Sequence, residues 1–360
     1  MYMKKSPEDH SRILITERPE VYLGASRQTL LDLRRFSVEL GFIPIKRFSP
    51  LNIGKAPSWF KLLLNLKDVE ILVLAYPYAC RPLDNSTRSL ELNLIKRISK
   101  KCFSIIYVVD LPIEQNNGFR VPDITDSESR RVERELFESI DKILVFNQRM
   151  MKRIQMNYGI EDDRFVLVEM LDYGVKQPDI TRKEYSAPFR IVYAGNLSEE
   201  LLGRGIESLP IGDDLEYHFF GQNGKWIGGF NGHFNYHGYE EDPFDVVSTM
   251  SGLAHYGLLM RNRNNPIISE YYSYSTTSKF SAYMVSGLPI LVQKEYDYVS
   301  ELVRKYQVGL VYNSPKEIQE LVESVGEDQY EIMRRNAYDL GSKLSNGHFF
   351  KKGMATAMNL

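Results

Sequence analysis

Short apolar runs separated by amphipathic helical patterns recur along almost the whole chain, and this alternation restricts it to an α/β fold more than any other feature. In the first half the apolar runs fall at residues 13–16, 42–45, 69–74, 103–109 and 143–146, with helical patterns at 28–40, 59–66 and 89–99. Short runs with few polar interruptions suit parallel strands covered by helices on both faces. Around 171–188 the pattern lapses into polar residues with Pro178 and Pro188, which reads as a linker. Alternation resumes at 190–193, 217–220, 256–260, 290–292 and 309–312. The expected architecture is two Rossmann-like, doubly wound domains in series, 1–174 and 175–344, with ligands at the carboxyl ends of the strands in a cleft between them. Two further helical patterns, 331–344 and 349–358, are broken at Asn346-Gly347.

With 360 residues, 43% of them hydrophobic, the chain can bury two ordinary cores. A formal net charge of -2 gives no electrostatic case for a nucleic-acid partner. Two cysteines, Cys80 and Cys102, point to a reducing compartment rather than a disulfide framework. The first ten residues lack the apolar core of a signal peptide, and no apolar run approaches the roughly 20 residues of a membrane span, so the expected location is cytoplasmic. The segment 55–67 combines Trp59, Phe60 and several leucines with three lysines. It reads either as a core-facing helix or as one lying peripherally on the inner face of a membrane, where Lys96, Arg97, Lys100 and Lys101 would enlarge the basic surface. A homo-oligomer is left open.

The densest chemical signal is Ser273-Tyr274-Ser275-Thr276-Thr277-Ser278-Lys279-Phe280-Ser281, followed by Gly287-Leu288-Pro289 and an apolar strand. Backbone N–H groups and hydroxyls at a helix N-terminus attract an anion, and Lys279 in the first turn adds a full positive charge. A diphosphate is the expected guest, although a lysine near a cap is also common in any loop-helix-strand unit. A second signal is Tyr193-Ala194-Gly195-Asn196-Leu197-Ser198, a strand whose end in a small residue and glycine lets a ligand approach the backbone. Asn196 and Ser198 offer cap groups, as in an ordinary strand-to-helix turn. Asp110 lies at a strand end, where desolvation would suit it to general-base work. It reads equally as a cap before Pro112, with Glu114 as the alternative base. Tyr76, at another strand end, reads as a residue lining the acceptor side or as a plain loop tyrosine before Pro77.

Metal chemistry finds little support in the pattern. His233 and His237 are spaced four apart, but Gly232 and Phe234-Asn235-Tyr236 argue against a helix and no third ligand is evident. No Asp-x-Asp signature ends a strand, and the Gly-x-Ser-x-Gly, Walker A and Gly-x-Gly-x-x-Gly motifs are absent. No cofactor or metal is expected, so positive charge for a diphosphate must come from protein.

The run Lys279-Phe280-Ser281-Ala282-Tyr283-Met284-Val285-Ser286-Gly287-Leu288-Pro289 resembles the Lys-x-x-Glu-Tyr-Met-Ala-x-Gly-x-Pro segment of GT-B fold glycosyltransferases, whose lysine meets the donor diphosphate; their ribose-binding glutamate is Ala282 here. Tyr193-Ala194-Gly195-Asn196-Leu197-Ser198 resembles the start of the nucleotide-binding domain in a bacterial subgroup. Its members are galactofuranosyltransferases of surface polysaccharide synthesis and glucosyltransferases that extend O-glycans on serine-rich repeat adhesins. Where that subgroup often carries a basic residue, this chain has Glu199 and Glu200, with Arg204 the nearest cation. Gly24-Ala25-Ser26-Arg27 resembles its donor-facing first loop, and Tyr107-Val108-Val109-Asp110 a strand ending in His-Asp, with valine in place of the histidine. Tyr239 matches a tyrosine near the uracil, and Glu301 lies on a helix from which a glutamate can take the ribose. The ending 346–352 resembles the subgroup's crossover, which implies that residues 345–360 pack back on the first domain.

The resemblance implies a glycosyltransferase that moves a hexose from a UDP-sugar to a hydroxyl of a growing glycan, free, on a glycopeptide or lipid-linked, without metal and with inversion. Ser278, Lys279, Phe280 and Ser281 would serve the diphosphate, residues 195–198 the phosphates or leaving group, and Glu301 the ribose. Residues 24–27, Tyr76 and Asp110 would serve the acceptor. The alternatives are a non-catalytic GT-B partner of another transferase, which Ala282 and Val109 keep open, and a GT-B nucleotide-sugar epimerase.

Overall fold

The computed structural model describes residues 11–17, 19–46, 69–78, 88–115, 126–180, 183–229, 233–260 and 266–359. Segment 55–67 and Cys80 lie outside them. The chain divides into two compact units, Met1–Glu169 with Phe349–Leu360, and Met170–His348.

The first unit holds β1 (Arg12–Thr16), β2 (Ile43–Lys46), β3 (Ile71–Tyr76), β4 (Phe103–Val108), β5 (Lys142–Val145) and β6 (Phe165–Leu167). They pair in the order β2-β1-β3-β4-β5-β6, every pair parallel. Its helices are α1 (Gly24–Glu39), α2 (Arg88–Ser99), α3 (Pro112–Gln115), α4 (Asp126–Glu138) and α5 (Gln148–Tyr158). Ile13, Leu14 and Ile15, and likewise Leu72, Val73 and Leu74, are buried in succession, which is why these strands read as unbroken apolar runs. The chain leaves β1 for β2 and then returns past β1 to β3, so strand order reverses between β1 and β3. Ligands of doubly wound sheets sit outside the carboxyl ends at such a reversal.

The second unit repeats the plan with β7 (Phe189–Ala194), β8 (Leu215–Phe220), β9 (Phe234–Gly238), β10 (Tyr256–Leu259), β11 (Ile290–Gln293) and β12 (Gly309–Tyr312). The order is β12-β11-β10-β7-β8-β9, again all parallel, and the reversal falls between β7 and β10. Its helices are α6 (Glu199–Leu202), α7 (Pro243–Leu253), α8 (Pro266–Tyr274), α9 (Ser278–Val285), α10 (Asp297–Tyr306), α11 (Ile318–Glu323) and α12 (Glu327–Ser345). His237 lies on β9, as the strand-like neighbours of the two histidines imply, and its ring pairs with His218 at 2.9 Å.

After Asn346-Gly347 the closing helix α13 (His348–Ala357) joins the first unit. Phe350 meets the Tyr107 ring edge-on at 5.2 Å, and Lys351 Nζ reaches the Glu39 carboxylate of α1 at 2.5 Å.

Candidate functional site

In the second unit the carboxyl ends of β7 and β8 converge with the start of α9. Gly195, directly after β7, has φ +149, and its amide donates to the Phe220 carbonyl. Gly221, directly after β8, has φ +146, and a Cβ there would fall 1.7 Å from the Gly195 carbonyl oxygen. Only two glycines bring these backbone turns so close. Asn196 organises the loop beyond, its Oδ1 accepting from the Ser198 amide at 3.0 Å and from Asn223 Nδ2 at 3.2 Å. Trp226 Nε1 closes it with a 2.7 Å bond to the Leu197 carbonyl.

Thr277 caps α9, its hydroxyl accepting from the Lys279 amide at 3.3 Å, while the neighbouring Thr276 hydroxyl is buried without a hydrogen-bond partner among the described residues. The Lys279 side chain runs across Gly195, so the two sequence signals form one site. Lys279 Nζ lies 5.5 Å from the Tyr193 ring centroid. Burial pushes its pKa down, the nearby Tyr272 opposing that shift, and no carboxylate among the described residues pairs with it. Tyr283 anchors the site from beneath, its hydroxyl donating to the Leu258 carbonyl and accepting from the Ala194 amide, both at 3.0 Å. Tyr272 stacks on Tyr296, the residue before α10, whose exposed outer face carries Glu301. Tyr239 is exposed just past β9.

Two expectations for α9 need correction. Ser281 is fully buried and its hydroxyl donates to the Leu171 carbonyl at 2.5 Å, so it holds the start of the second unit rather than a phosphate. Phe280 is equally buried and belongs to the core beneath α9. Ser278 is partly exposed in the first turn beside Lys279.

In the first unit a second cluster straddles the reversal between β1 and β3. Gly24, at φ +54, opens α1 with Ala25 exposed and Ser26 and Arg27 half-buried. The Ser26 hydroxyl is hydrogen-bonded to that of Tyr78, two residues beyond β3, and Asp110, just past β4, lies close enough to act on the same phenol. Burial and then Asp110 push the Tyr78 pKa up, and the Ser26 bond pulls it back. Asp110 is half-buried.

Tyr76 and Glu114 turn out to be structural. Tyr76 is 1% exposed and its hydroxyl donates to Glu133, which also accepts from Tyr158. Tyr76 therefore lines no acceptor surface. Glu114 is buried and gripped by Arg153 through Nε at 2.8 Å and a second guanidinium nitrogen at 2.6 Å, by Arg130 at 2.9 Å and by Asn157 at 2.9 Å. Burial pushes its pKa up, but the hydrogen bonds and charges of Arg153 and Arg130 outweigh that and hold it below the usual carboxylate range. A carboxylate so engaged is a poor proton acceptor. Among the described residues no group of three or more His, Cys, Asp or Glu side chains is placed to hold a metal, and no helix is long and apolar enough to cross a membrane.

Residues 191–357 match the family model described as glucosyltransferase 3-like, C-terminal domain. Glucosyltransferase 3 of Streptococcus gordonii is 21% identical over 278 residues, covering 74% of this chain and 73% of that protein. The beta-1,6-galactofuranosyltransferase WbbI of Escherichia coli K12 is 21% identical over 219 residues, covering 59% of this chain and 61% of that one. Among solved structures, Anabaena HepE in complex with UDP-glucose superposes with a TM-score of 0.57 at 12% identity, over 97% of this chain and 99% of that one. The two units are the two sheets of a GT-B fold, and residues 191–357 of the second are similar to the glucosyltransferase 3-like C-terminal domain.

Proposed function

We propose that this GT-B glycosyltransferase moves a hexose, glucose or galactofuranose, from a UDP-sugar to a hydroxyl of a growing surface glycan, free, on a glycopeptide or lipid-linked. The observation that carries the reading is Lys279, a desolvated ammonium over an aromatic ring at a helix start, with no carboxylate among the described residues to neutralise it. The side chain is half-buried, and a desolvated charge of this kind is costly until an anion completes it. A diphosphate is such an anion, and the orphaned Thr276 hydroxyl beside the cap offers it a further donor. The names of the relatives support the donor class, and HepE is solved with UDP-glucose.

In the reaction the acceptor oxygen attacks the anomeric carbon, the bond from that carbon to the diphosphate breaks, and its electron pair leaves with UDP. Lys279 and the α9 dipole balance the charge that gathers on the departing phosphates. Residues 195–198 lie against the phosphates, Tyr239 serves the uracil and Glu301 the ribose in place of the missing glutamate at Ala282. Asp110 takes the proton from the acceptor hydroxyl, and a single displacement of this kind inverts the anomeric centre.

Calorimetry with UDP tests the reading. Lys279→Ala is expected to weaken UDP binding by ~2 kcal/mol, about 30-fold, through loss of one charge-assisted contact. Unchanged affinity in a folded variant would remove the phosphate site, and UDP release that ignores added acceptor would point to the epimerase instead.

A further inference from the structure

The outer face of α1 carries a feature that donor and acceptor binding do not use. Leu31, Arg34, Arg35 and Val38 recur at helical spacing along it, in line with Arg27 of the first turn and opposite the buried Leu30, Leu33 and Phe36. Leu31 is 43% exposed and Val38 50%, and Leu23 at the helix start is 60% exposed. Large apolar side chains exposed in one stripe signal an interaction surface more than scattered ones do. The neighbouring α13 extends the basic character. Its Lys351 lies over the Phe36 ring of α1 at 5.3 Å, and Lys352 is exposed beside it. Glu39 is the acidic group on this face, and both Arg35, at 3.8 Å, and Lys351 hold it. Asp32 is buried and bonded by Gln28, while Glu17 and Glu20 lie beyond the amino end of the helix.

We propose that the α1–α13 face docks the protein on an anionic lipid bilayer, with the arginines and lysines at the phosphate level and Leu31 and Val38 entering the headgroup boundary. Charge complementarity selects this occupant. A two-fold contact between copies of the chain would set the same arginines against each other, whereas a surface of acidic headgroups meets all of them with opposite charge. Alternation of cations with isolated aliphatics over roughly 16 Å of helix, at ~1.5 Å per residue, also suits a flat fluid surface. Ser26 lies in the first turn of α1, so docking this helix would bring the acceptor side of the first unit to the membrane, where a lipid-linked glycan is presented. That last step rests on the proposed transferase reading; the docking itself does not.

The test is co-sedimentation of the full chain with vesicles of phosphatidylcholine mixed equally with phosphatidylglycerol, against vesicles of phosphatidylcholine alone. Binding is expected to the anionic vesicles only and to fall as salt rises. Arg34→Gln with Lys352→Gln should weaken it by roughly 25-fold, at about fivefold per cation lost. Leu31→Ser with Val38→Ser should weaken it comparably, and Lys316→Gln with Lys343→Gln, exposed on the second unit, should leave it unchanged. The UDP-induced rise in melting temperature should persist in all of them, which separates loss of docking from loss of the nucleotide site. Equal binding to both vesicle types, or no effect of the α1 and α13 changes, would overturn the proposal. So would a change in oligomeric state, read by light scattering, in the Leu31→Ser with Val38→Ser variant without a change in vesicle binding.

Discussion

The side chain of Lys279 crosses the bare face of Gly195, so that a Cβ built on Gly195 would stand 2.5 Å from Lys279 Cε and 3.1 Å from its Nζ. Gly195→Ala therefore pushes the lysine aside and also strains a backbone at φ +149 that L side chains rarely adopt. The expected result is a roughly 10-fold or greater loss of UDP affinity with the sheet intact, because the change meets a flexible side chain rather than the core. Calorimetry on the folded variant checks it, and parent-like affinity would mean that the lysine is not held at the ligand.

Excess EDTA should leave acceptor-dependent UDP release unchanged, since Lys279 and the α9 amino end are proposed to supply the positive charge the leaving group requires. The assay compares rates with and without chelator. Activity lost on chelation and restored by Mg²⁺ or Mn²⁺ would transfer that role to a metal.

Glu133 gives the first unit a pH dependence of its own. It is fully buried beneath the Tyr76 and Tyr158 hydroxyls, and burial pushes its pKa from 4.5 up to about 7 while the two phenols pull it back. Between those values the folded chain keeps a proton that the unfolded chain has released. Stability is thus fully present below the unfolded pKa and is lost as pH rises through the folded one, by on the order of 3 kcal/mol. Glu133→Gln cannot ionise and should remove this slope. Urea midpoints of parent and variant at about pH 5 and about pH 8 measure it, and a difference that stays constant across the window would show that Glu133 does not titrate there.

Most strands were legible because parallel sheets bury both faces, so Ile13, Leu14 and Ile15 or Leu72, Val73 and Leu74 leave an unmistakable apolar run, whereas β6 and β9 each bury a single residue and leave no such buried run. Lys279 and Gly195 were legible one at a time, as a helix start and a strand end. Which α9 residues face inward was not, because that depends on packing against α12, where a Cβ on Gly341 would lie 2.2 Å from the Met284 carbonyl oxygen. Phe280 and Ser281 are consequently core, and Lys279 with its neighbour Ser278 stays on the open side of the helix. The misreading of Glu114 has a similar origin, since its partners Arg130, Arg153 and Asn157 come from α4 and α5, far along the chain. Tyr76 closes β3 and so carries the strand-end signal, whereas Tyr78, two residues on, carries none. Gly221 did carry a signal, a glycine closing an apolar strand just as Gly195 does.

Asp110→Asn is expected to lower kcat by ~10²- to 10⁴-fold while leaving UDP affinity nearly unchanged, since the amide keeps the shape of the side chain and loses its proton acceptor. Tyr78→Phe removes a phenol near Asp110 and Ser26 rather than a group on the substrate, so its loss is expected to be smaller, about 10-fold. Ser26→Ala should reproduce part of that effect, because it removes the other end of the same hydrogen bond. Melting temperatures of the three variants must first match the parent. If Asp110→Asn then turns over normally, Asp110 is a cap before Pro112, and Glu114 does not inherit the role. Its carboxylate is committed to two arginines, so that Glu114→Gln is expected to cost stability before it costs rate.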